Sequence, residues 1–174
     1  GAYDRWLKFN FNSRVRAKNV EGLTYGLNGT ILTGKTATSY FWFDSDTNIY
    51  RPYPNSITNM QELTLYVDPF LKYFGAKGSV HNFRNRFFYN NSESSSDQSN
   101  MSFTVYNEYQ YQKKFGEDWH LSAGLVGSYT IGKSNLYGDH TGNTLALYAQ
   151  LDKKFFQRLS ASLGLRWERY SMDQ

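Results

Sequence analysis

A short aromatic segment holds the side chains of this sequence that are best suited to contacting a ligand. Between Ser39 and Tyr53 the chain concentrates aromatic rings with two carboxylates and an arginine. Aromatic faces stack on sugars and other ring-bearing ligands, while Arg and Asp fix orientation through hydrogen bonds. The predicted contact residues are Tyr40, Trp42, Asp44, Tyr50, Arg51 and Tyr53. An aromatic hairpin that packs on itself or lies at a membrane interface is the alternative explanation.

Residues suited to catalysis or metal binding are scattered. The three histidines, His81, His120 and His140, are far apart in sequence, and no His-x-x-x-His or Glu-x-x-His pair occurs. The sequence has no Gly-x-Ser-x-Gly elbow, no Gly-x-Gly-x-x-Gly fingerprint and no Cys. We therefore expect no enzymatic activity, no metal site and no cofactor.

The elements that must position these side chains are β-strands. In Trp119–Ile131 the odd positions are Trp, Leu, Ala, Leu, Gly, Tyr and Ile, and the even positions are mostly polar. This period-two pattern, which predicts one apolar and one polar face, recurs along the chain. The predicted strands are residues 5–18, 22–34, 60–74, 79–90, 101–115, 119–132, 142–155 and 158–170. Such a pattern is typical of an all-β, antiparallel, up-and-down outer-membrane β-barrel.

In four of these strands one parity class is clearly apolar, and we expect it to face lipid. Its members are Phe83, Phe87 and Tyr89; Phe103, Val105, Tyr109 and Tyr111; Leu145, Leu147, Ala149 and Leu151; and Leu159, Ala161, Leu163, Leu165 and Trp167. The opposite class supplies the predicted lumen-lining residues Arg84, Arg86, Glu108, Asp152, Arg166 and Glu168. These charges either line a path for a solute or form the cross-strand charge pairs that water-filled lumens commonly carry.

The connections are expected to alternate strictly between short turns and long loops. The short turns are residues 19–22, 75–78, 116–118 and 156–157, and the long loops are residues 35–59, 91–100 and 133–141. Short turns mark the periplasmic side of an outer-membrane barrel, and long loops mark the outer side. Both termini then lie at the outer side, which favours an internal segment of a larger barrel over a complete one. Residues 1–174 form a single segment in this interpretation.

The composition fits a barrel wall. Mean hydropathy is −0.65, and no apolar run approaches the roughly 18 residues of a spanning helix. A barrel tolerates a polar average because only alternate residues of each strand meet lipid. The net charge is +4, but the cations are scattered singly, so we expect outer-membrane lipid rather than nucleic acid as a partner.

Several segments resemble a known family. In Asn143–Glu168 a strand of the form Ala-x-Tyr-x-Gln leads through a turn to Leu-x-x-x-x-Gly-x-Arg-x-Glu, which is similar to the barrel hairpin of TonB-dependent receptors. Further pieces resemble members of this family from polysaccharide-degrading Gram-negative bacteria: Tyr25–Asn28, Tyr50–Pro54, Val67–Phe70 and Glu108–Lys113. The tail hairpin is the more specific of these motifs.

The resemblance implies a 22-stranded outer-membrane barrel with an N-terminal plug domain. Such receptors import a scarce nutrient, here a glycan, a siderophore or a cobalamin-like molecule, with energy delivered through TonB. The implied partners are the plug domain, TonB, a surface lipoprotein and a small-molecule or oligosaccharide ligand. Neither a plug domain nor the remaining strands are present in this sequence, so the segment alone is not expected to transport anything.

Two other architectures are compatible with the period-two pattern, because the pattern distinguishes two faces of the sheet but does not indicate which of them is outside. One is a complete eight-stranded outer-membrane barrel with a structural or adhesion role. The other is a soluble calycin-like barrel that holds an apolar ligand inside, with the apolar class turned inward.

Overall fold

The computed structural model describes residues 3–42, 46, 51–53, 55–156 and 158–173. It contains one eight-stranded antiparallel sheet in which every strand pairs with its neighbours in sequence. The strands are β1 (Tyr3–Arg16), β2 (Leu23–Ser39), β3 (Ile57–Phe74), β4 (Ser79–Ser94), β5 (Asn100–Phe115), β6 (Trp119–Ser134), β7 (Gly138–Phe155) and β8 (Leu159–Met172). A 3₁₀ turn, Ala76–Gly78, precedes β4. The all-β, up-and-down architecture expected from the sequence is confirmed.

The register places all even-numbered strand residues on one face and all odd-numbered residues on the other. Each pair of strands couples even with even and odd with odd, as in Arg84↔Glu108 and Phe83↔Tyr109, and no bulge shifts the parity between strands. Side chains of directly opposite residues share a face. The parity classes predicted for four strands are therefore confirmed, and the rule extends to all eight. We call the two surfaces the odd face and the even face.

The strands are longer than the sequence pattern indicates, mainly at one end of the sheet. β2 continues to Ser39, β3 begins at Ile57 and β7 begins at Gly138, whereas loops were expected over 35–59 and 133–141. The Ser-rich stretch expected to form a loop over 91–100 lies partly in β4, which ends at Ser94, and β5 already begins at Asn100. Hydrogen bonds of the ladder hold these polar strand ends in place. The ends have no apolar face, so the sequence pattern does not identify them as strand.

The expected strict alternation of short and long connections is wrong. Between β6 and β7 only residues 135–137 lie outside the strands, as few as the residues 116–118 between β5 and β6. The ladder continues through Lys133↔Asp139 and Ser134↔Gly138, and Gly138 closes the turn with a φ of 80°, which glycine adopts at little cost. Residues 40–56, between β2 and β3, form the one connection of substantial length among the eight strands.

The sheet is open and has little interior. β1 and β8 each pair on one side within the described residues. Among the residues that the structure describes, the buried apolar ones are Ala37, Val126 and Ala146, and Thr30 is a buried polar one. No helix in the described part of the chain is long and apolar enough to cross a membrane. Because each strand buries so little, the sheet depends on whatever covers its two faces and two edges.

Candidate functional site

Most of the large apolar side chains that the strands leave exposed lie on the odd face. They form a band across all eight strands, from Leu7, Phe9 and Val15 on β1 to Leu163, Leu165 and Trp167 on β8. Leu165 keeps 77% of its surface exposed. Asn85 and Asn107 interrupt the band, but they lie directly opposite each other and hydrogen-bond to one another. An apolar surface of this extent is not left to water in a stable protein.

The band runs obliquely across the strands. On β1 the band centres on Phe11. When the directly paired residue is followed from each strand to the next, the row that starts at Phe11 reaches β8 at Ser171. The apolar run of β8 instead centres on Leu163, eight residues away from Ser171. On β6 the same row passes through Tyr129, four residues from the centre of the apolar run at Leu125. From β1 to β8 the offset therefore averages about one residue per strand.

This slope converts into a strand tilt. With about 3.3 Å per residue and about 4.8 Å between strands, eight residues over seven strand spacings correspond to an angle of about 40°. Strands of membrane barrels are tilted by about 35 to 45°. The ten-residue separation of Trp119 and Tyr129 on β6 corresponds to a height of about 25 Å at this tilt, which is the height of the apolar band of outer-membrane barrels.

Aromatic side chains mark both borders of the band. We call the end of the sheet that holds the connections 17–22, 75–78, 116–118 and 156–158 the short-turn side. On this side the odd face carries Tyr25, Tyr73, Trp119 and Phe155, and on the opposite side it carries Tyr89, Tyr129 and Trp167. Lys153 lies at the short-turn border, with its Nζ 4.4 Å from the ring centroid of Trp119 and 4.7 Å from that of Phe155. Aromatic rings with nearby lysines are typical of the level where lipid headgroups meet the apolar core.

The even face is polar and concave. A cavity of about 860 Å³ lies on it, and its lining residues come from five neighbouring strands, from Arg14 on β1 to Glu108 on β5. Side chains from strands that are not neighbours also meet on this face, since Tyr148 of β7 reaches Glu108 of β5. A cavity lined from five neighbouring strands requires the sheet to curve around it, so the polar class lies inside the curve and the apolar band outside.

One part of the cavity is a charged pair between β3 and β4. The Arg86 guanidinium donates two hydrogen bonds to the Asp68 carboxylate, Nε to Oδ1 at 2.7 Å and Nη2 to Oδ2 at 2.6 Å. The same guanidinium lies 4.8 Å from the ring centroid of Tyr66. This two-pronged geometry orients Arg86 along the wall.

The second part centres on the Glu108 carboxylate. It accepts hydrogen bonds from Tyr106 Oη at 3.0 Å, Tyr148 Oη at 2.9 Å and Arg84 Nη2 at 3.3 Å. Gln110 Nε2 donates to Tyr148 Oη at 3.1 Å. Glu108 thus ties β4, β5 and β7 together on the concave face.

Three of the six predicted lumen-lining residues, Arg84, Arg86 and Glu108, come together at this cavity. Glu168 shares their region of the sheet, because it lies on the same hydrogen-bonded row as Glu108 through Val126 and Ala146. Arg166 and Glu168 pair with each other at 2.7 Å on β8.

Asp152 lies closer to the short turns. Its carboxylate is 3.5 Å from His120 Nδ1 and accepts a hydrogen bond from Gln150 at 2.8 Å. All six predicted residues are on the even face, as expected, although their role there stays a prediction.

The aromatic segment lies apart from this cavity, in the connection between β2 and β3. Trp42 and Pro52 form an isolated bridge, and Tyr53 N donates to Phe41 O at 2.8 Å. Tyr40, Trp42 and Tyr53 are exposed, Tyr40 by 83%, and Arg51 is exposed beside them. Asp44 and Tyr50 lie outside the described residues. Ser39 Oγ and Ser56 Oγ, 2.6 Å apart, hold the two ends of this connection together.

Four residues at or beside the cavity were not picked out from the sequence. Asp68 and Tyr106 line the cavity, and Tyr148 reaches Glu108 across Gly124. The parity of β3 held a signal for Asp68, because its odd positions Leu63, Leu65, Val67 and Leu71 are apolar and its even positions are mixed. Nothing in the local pattern connects Tyr148 with Glu108, since their strands are separated by β6.

The described residues contain no group of three or more His, Asp or Glu side chains that could hold a metal ion. No protein-family model matches the chain, and no curated protein matches it in sequence. The function of the chain is therefore inferred from the geometry of its odd and even faces.

Proposed function

We propose that the chain forms part of the wall of an outer-membrane β-barrel, with the odd face against lipid and the even face toward a water-filled interior. The oblique course of the apolar band is the observation that carries this proposal. A band level with a flat bilayer must shift by about one residue per strand when strands are tilted by about 40°. An apolar face that packs against a second sheet has no such requirement.

The position of the band along the strands supports an orientation. β7 continues from the band border into the polar residues Gly138–Asn143, and β4 ends in the polar residues Asn90–Ser94. At the other end the band reaches almost to the turns, as at Leu121 and Leu159. Outer-membrane barrels have short periplasmic turns and extended outer ends. We infer that residues 40–56 lie on the outer side.

The more specific proposal is that this wall belongs to a TonB-dependent receptor that imports a nutrient. Its support is the resemblance of the β7–β8 hairpin to the family motif. All polar residues of that motif, Tyr148, Gln150, Arg166 and Glu168, are on the even face, where a receptor would present them to its interior. The substrate is a glycan, a siderophore or a cobalamin-like molecule, with plug domain, TonB and a surface lipoprotein as partners.

The connection between β2 and β3, residues 40–56, is the proposed ligand-contacting segment of such a receptor. Its exposed rings Tyr40, Trp42 and Tyr53 suit stacking on sugars. The test is a glycan array probed with the native receptor and with its Trp42→Ala, Tyr53→Ala variant. Loss of glycan binding in the variant supports the assignment, and unchanged binding rejects it.

Two alternatives make different demands on the sheet. A soluble calycin-like barrel needs the apolar class on the concave side, but here the concave side carries the polar class. A complete eight-stranded barrel needs β1 to pair with β8, and within the described residues these two strands do not pair. The mass of the native outer-membrane polypeptide distinguishes a receptor from a complete eight-stranded barrel, because a receptor is several times larger than the 20.2 kDa of this chain.

Lipid exposure of the odd face can be tested directly because the chain has no Cys. Each Cys substitution introduces a single thiol for a fluorescent label. In bilayers that contain brominated lipid, labels at Leu125→Cys and Leu147→Cys should be quenched. Labels at the even-face positions Ser128→Cys and Thr144→Cys should instead be quenched by a water-soluble reagent. Equal behaviour of the two sets would contradict the proposal.

A further inference from the structure

The cavity on the even face has an excess of positive charge, and the excess lies at one end. Arg84 and Arg86 are paired with Glu108 and Asp68. Three further cations, Arg14, Arg16 and Lys72, also line the cavity. Within the described residues none of these three forms an ion pair.

The unpaired cations surround a common space. Arg14 and Arg16 alternate on β1 and therefore point to the same face. Lys72 of β3 is on the same hydrogen-bonded row as Arg16, with only Thr24 of β2 between them. Two strand spacings separate Arg16 from Lys72, a gap of about 10 Å. A neutral, small residue between two cations leaves room for a negatively charged group.

Two aromatic rings accompany these cations. The Arg14 guanidinium is 5.8 Å from the ring centroid of Phe70, and Lys72 Nζ is 4.7 Å from that of Phe74. Phe70 lies across Gly26, where a Cβ would come within 2.6 Å of the ring. The absence of a side chain at Gly26 leaves room for the Phe70 ring over β2, next to Arg14.

We propose that this end of the cavity binds a small organic anion. Its negative groups lie against Arg14, Arg16 and Lys72, and its apolar part lies against Phe70 and Phe74. The whole cavity has a volume of about 860 Å³, which is within the range of small-molecule sites, about 300 to 1,000 Å³. The inference rests on the proposed function, because it needs the even face to be open to water, and it adds the charge class of the solute.

The test is isothermal titration of the native outer-membrane protein that contains this chain, purified in lipid discs, with trimesate, a benzene ring that carries three carboxylates. Its uncharged triamide and inorganic phosphate are the comparison ligands. The variants are Arg16→Gln and Lys72→Gln. The matched control is Lys8→Gln, which removes the same charge from the same face of β1 but outside the cavity lining. Circular dichroism verifies the strand content of each variant.

We expect saturable trimesate binding that weakens with added salt. Each cavity variant should lose about fivefold or more in affinity, since one charge-assisted hydrogen bond is removed. The Lys8→Gln variant should bind like the unsubstituted chain, and the triamide and phosphate should bind more weakly than trimesate. Absent saturation, an equal loss in Lys8→Gln, or equal affinity for either comparison ligand would overturn the proposal. Such a failure leaves the lipid-quenching pattern of the odd face intact, so it is distinguishable from failure of the proposed function.

Discussion

Tyr148 and Glu108 hydrogen-bond at 2.9 Å, Oη to Oε1, although β6 separates their strands. The tyrosine crosses β6 at Gly124, its direct partner in the ladder, where a Cβ would come within 2.4 Å of the Tyr148 ring. A glycine thus creates the path by which a side chain of β7 reaches β5. This contact links three strands on the concave face and helps to fix its curvature.

A side chain at position 124 should break this contact. We expect Gly124→Ala to lower the free energy of unfolding by about 1 to 3 kcal/mol, since the ring must move or the backbone must shift. The matched control is Gly127→Ala on the same strand, where a Cβ meets nothing within 4 Å. Urea unfolding followed by tyrosine and tryptophan fluorescence measures both. Equal destabilisation of the two variants would show that the Tyr148 contact contributes nothing.

A charge in the apolar band should be costly only in a bilayer. We expect Leu125→Arg to lower the free energy of unfolding by about 2 to 4 kcal/mol in lipid, the cost of an arginine at the membrane midplane. Ser128→Arg, on the even face of the same strand, should change it by less than about 1 kcal/mol. Reversible urea unfolding from lipid vesicles gives both values. A penalty at Ser128 as large as that at Leu125 would contradict the assignment of the faces.

The Arg86–Asp68 pair should stabilise the wall modestly because the Arg86 side chain is 52% exposed. We expect a coupling free energy of about 0.5 to 1 kcal/mol from a double-mutant cycle with Arg86→Gln and Asp68→Asn. All three variants should insert into membranes as well as the unsubstituted chain, since the pair faces the interior. A variant that no longer inserts would indicate that the pair is required for assembly.

The end of β8 should loosen in acid. Hydrogen bonds from the Thr141 backbone N–H and hydroxyl, at 2.6 and 2.9 Å, lower the pKa of the Asp173 carboxyl. His140, with its Nδ1 3.7 Å from the carboxylate, acts in the same direction when protonated. A lowered pKa means that the contact stabilises the fold above the unfolded pKa, and that this stabilisation disappears as the pH falls through the folded pKa.

Amide hydrogen exchange at Thr141 measures this effect. After correction for the intrinsic pH dependence of exchange, its protection should fall at acid pH. The Asp173→Asn variant should show weaker protection near neutral pH and no further acid step. An acid step that persists in this variant would assign the titration to another group.

The strands could be predicted from the sequence because period two is a local property. In Trp119–Ile131 the identity of alternate residues determines both the strand and its two faces. The polar strand ends, such as Gly138–Asn143, could not be predicted, because the ladder alone holds them and they have no apolar side chains to mark them. The cavity was only partly predictable, since Arg84 and Glu108 share a face by parity, but the arrival of Tyr148 depends on Gly124.

The sequence by itself therefore determined the number of strands, their order of apolar and polar positions, and the membership of each face. The tertiary structure decided which face is concave and how the rows line up from β1 to β8. The physical reason is that alternation has the same form whichever side bends inward, whereas register and curvature arise from pairing between strands. The oblique band, on which the proposed membrane role depends, becomes visible only when residues such as Phe11 and Leu163 are placed in one common register.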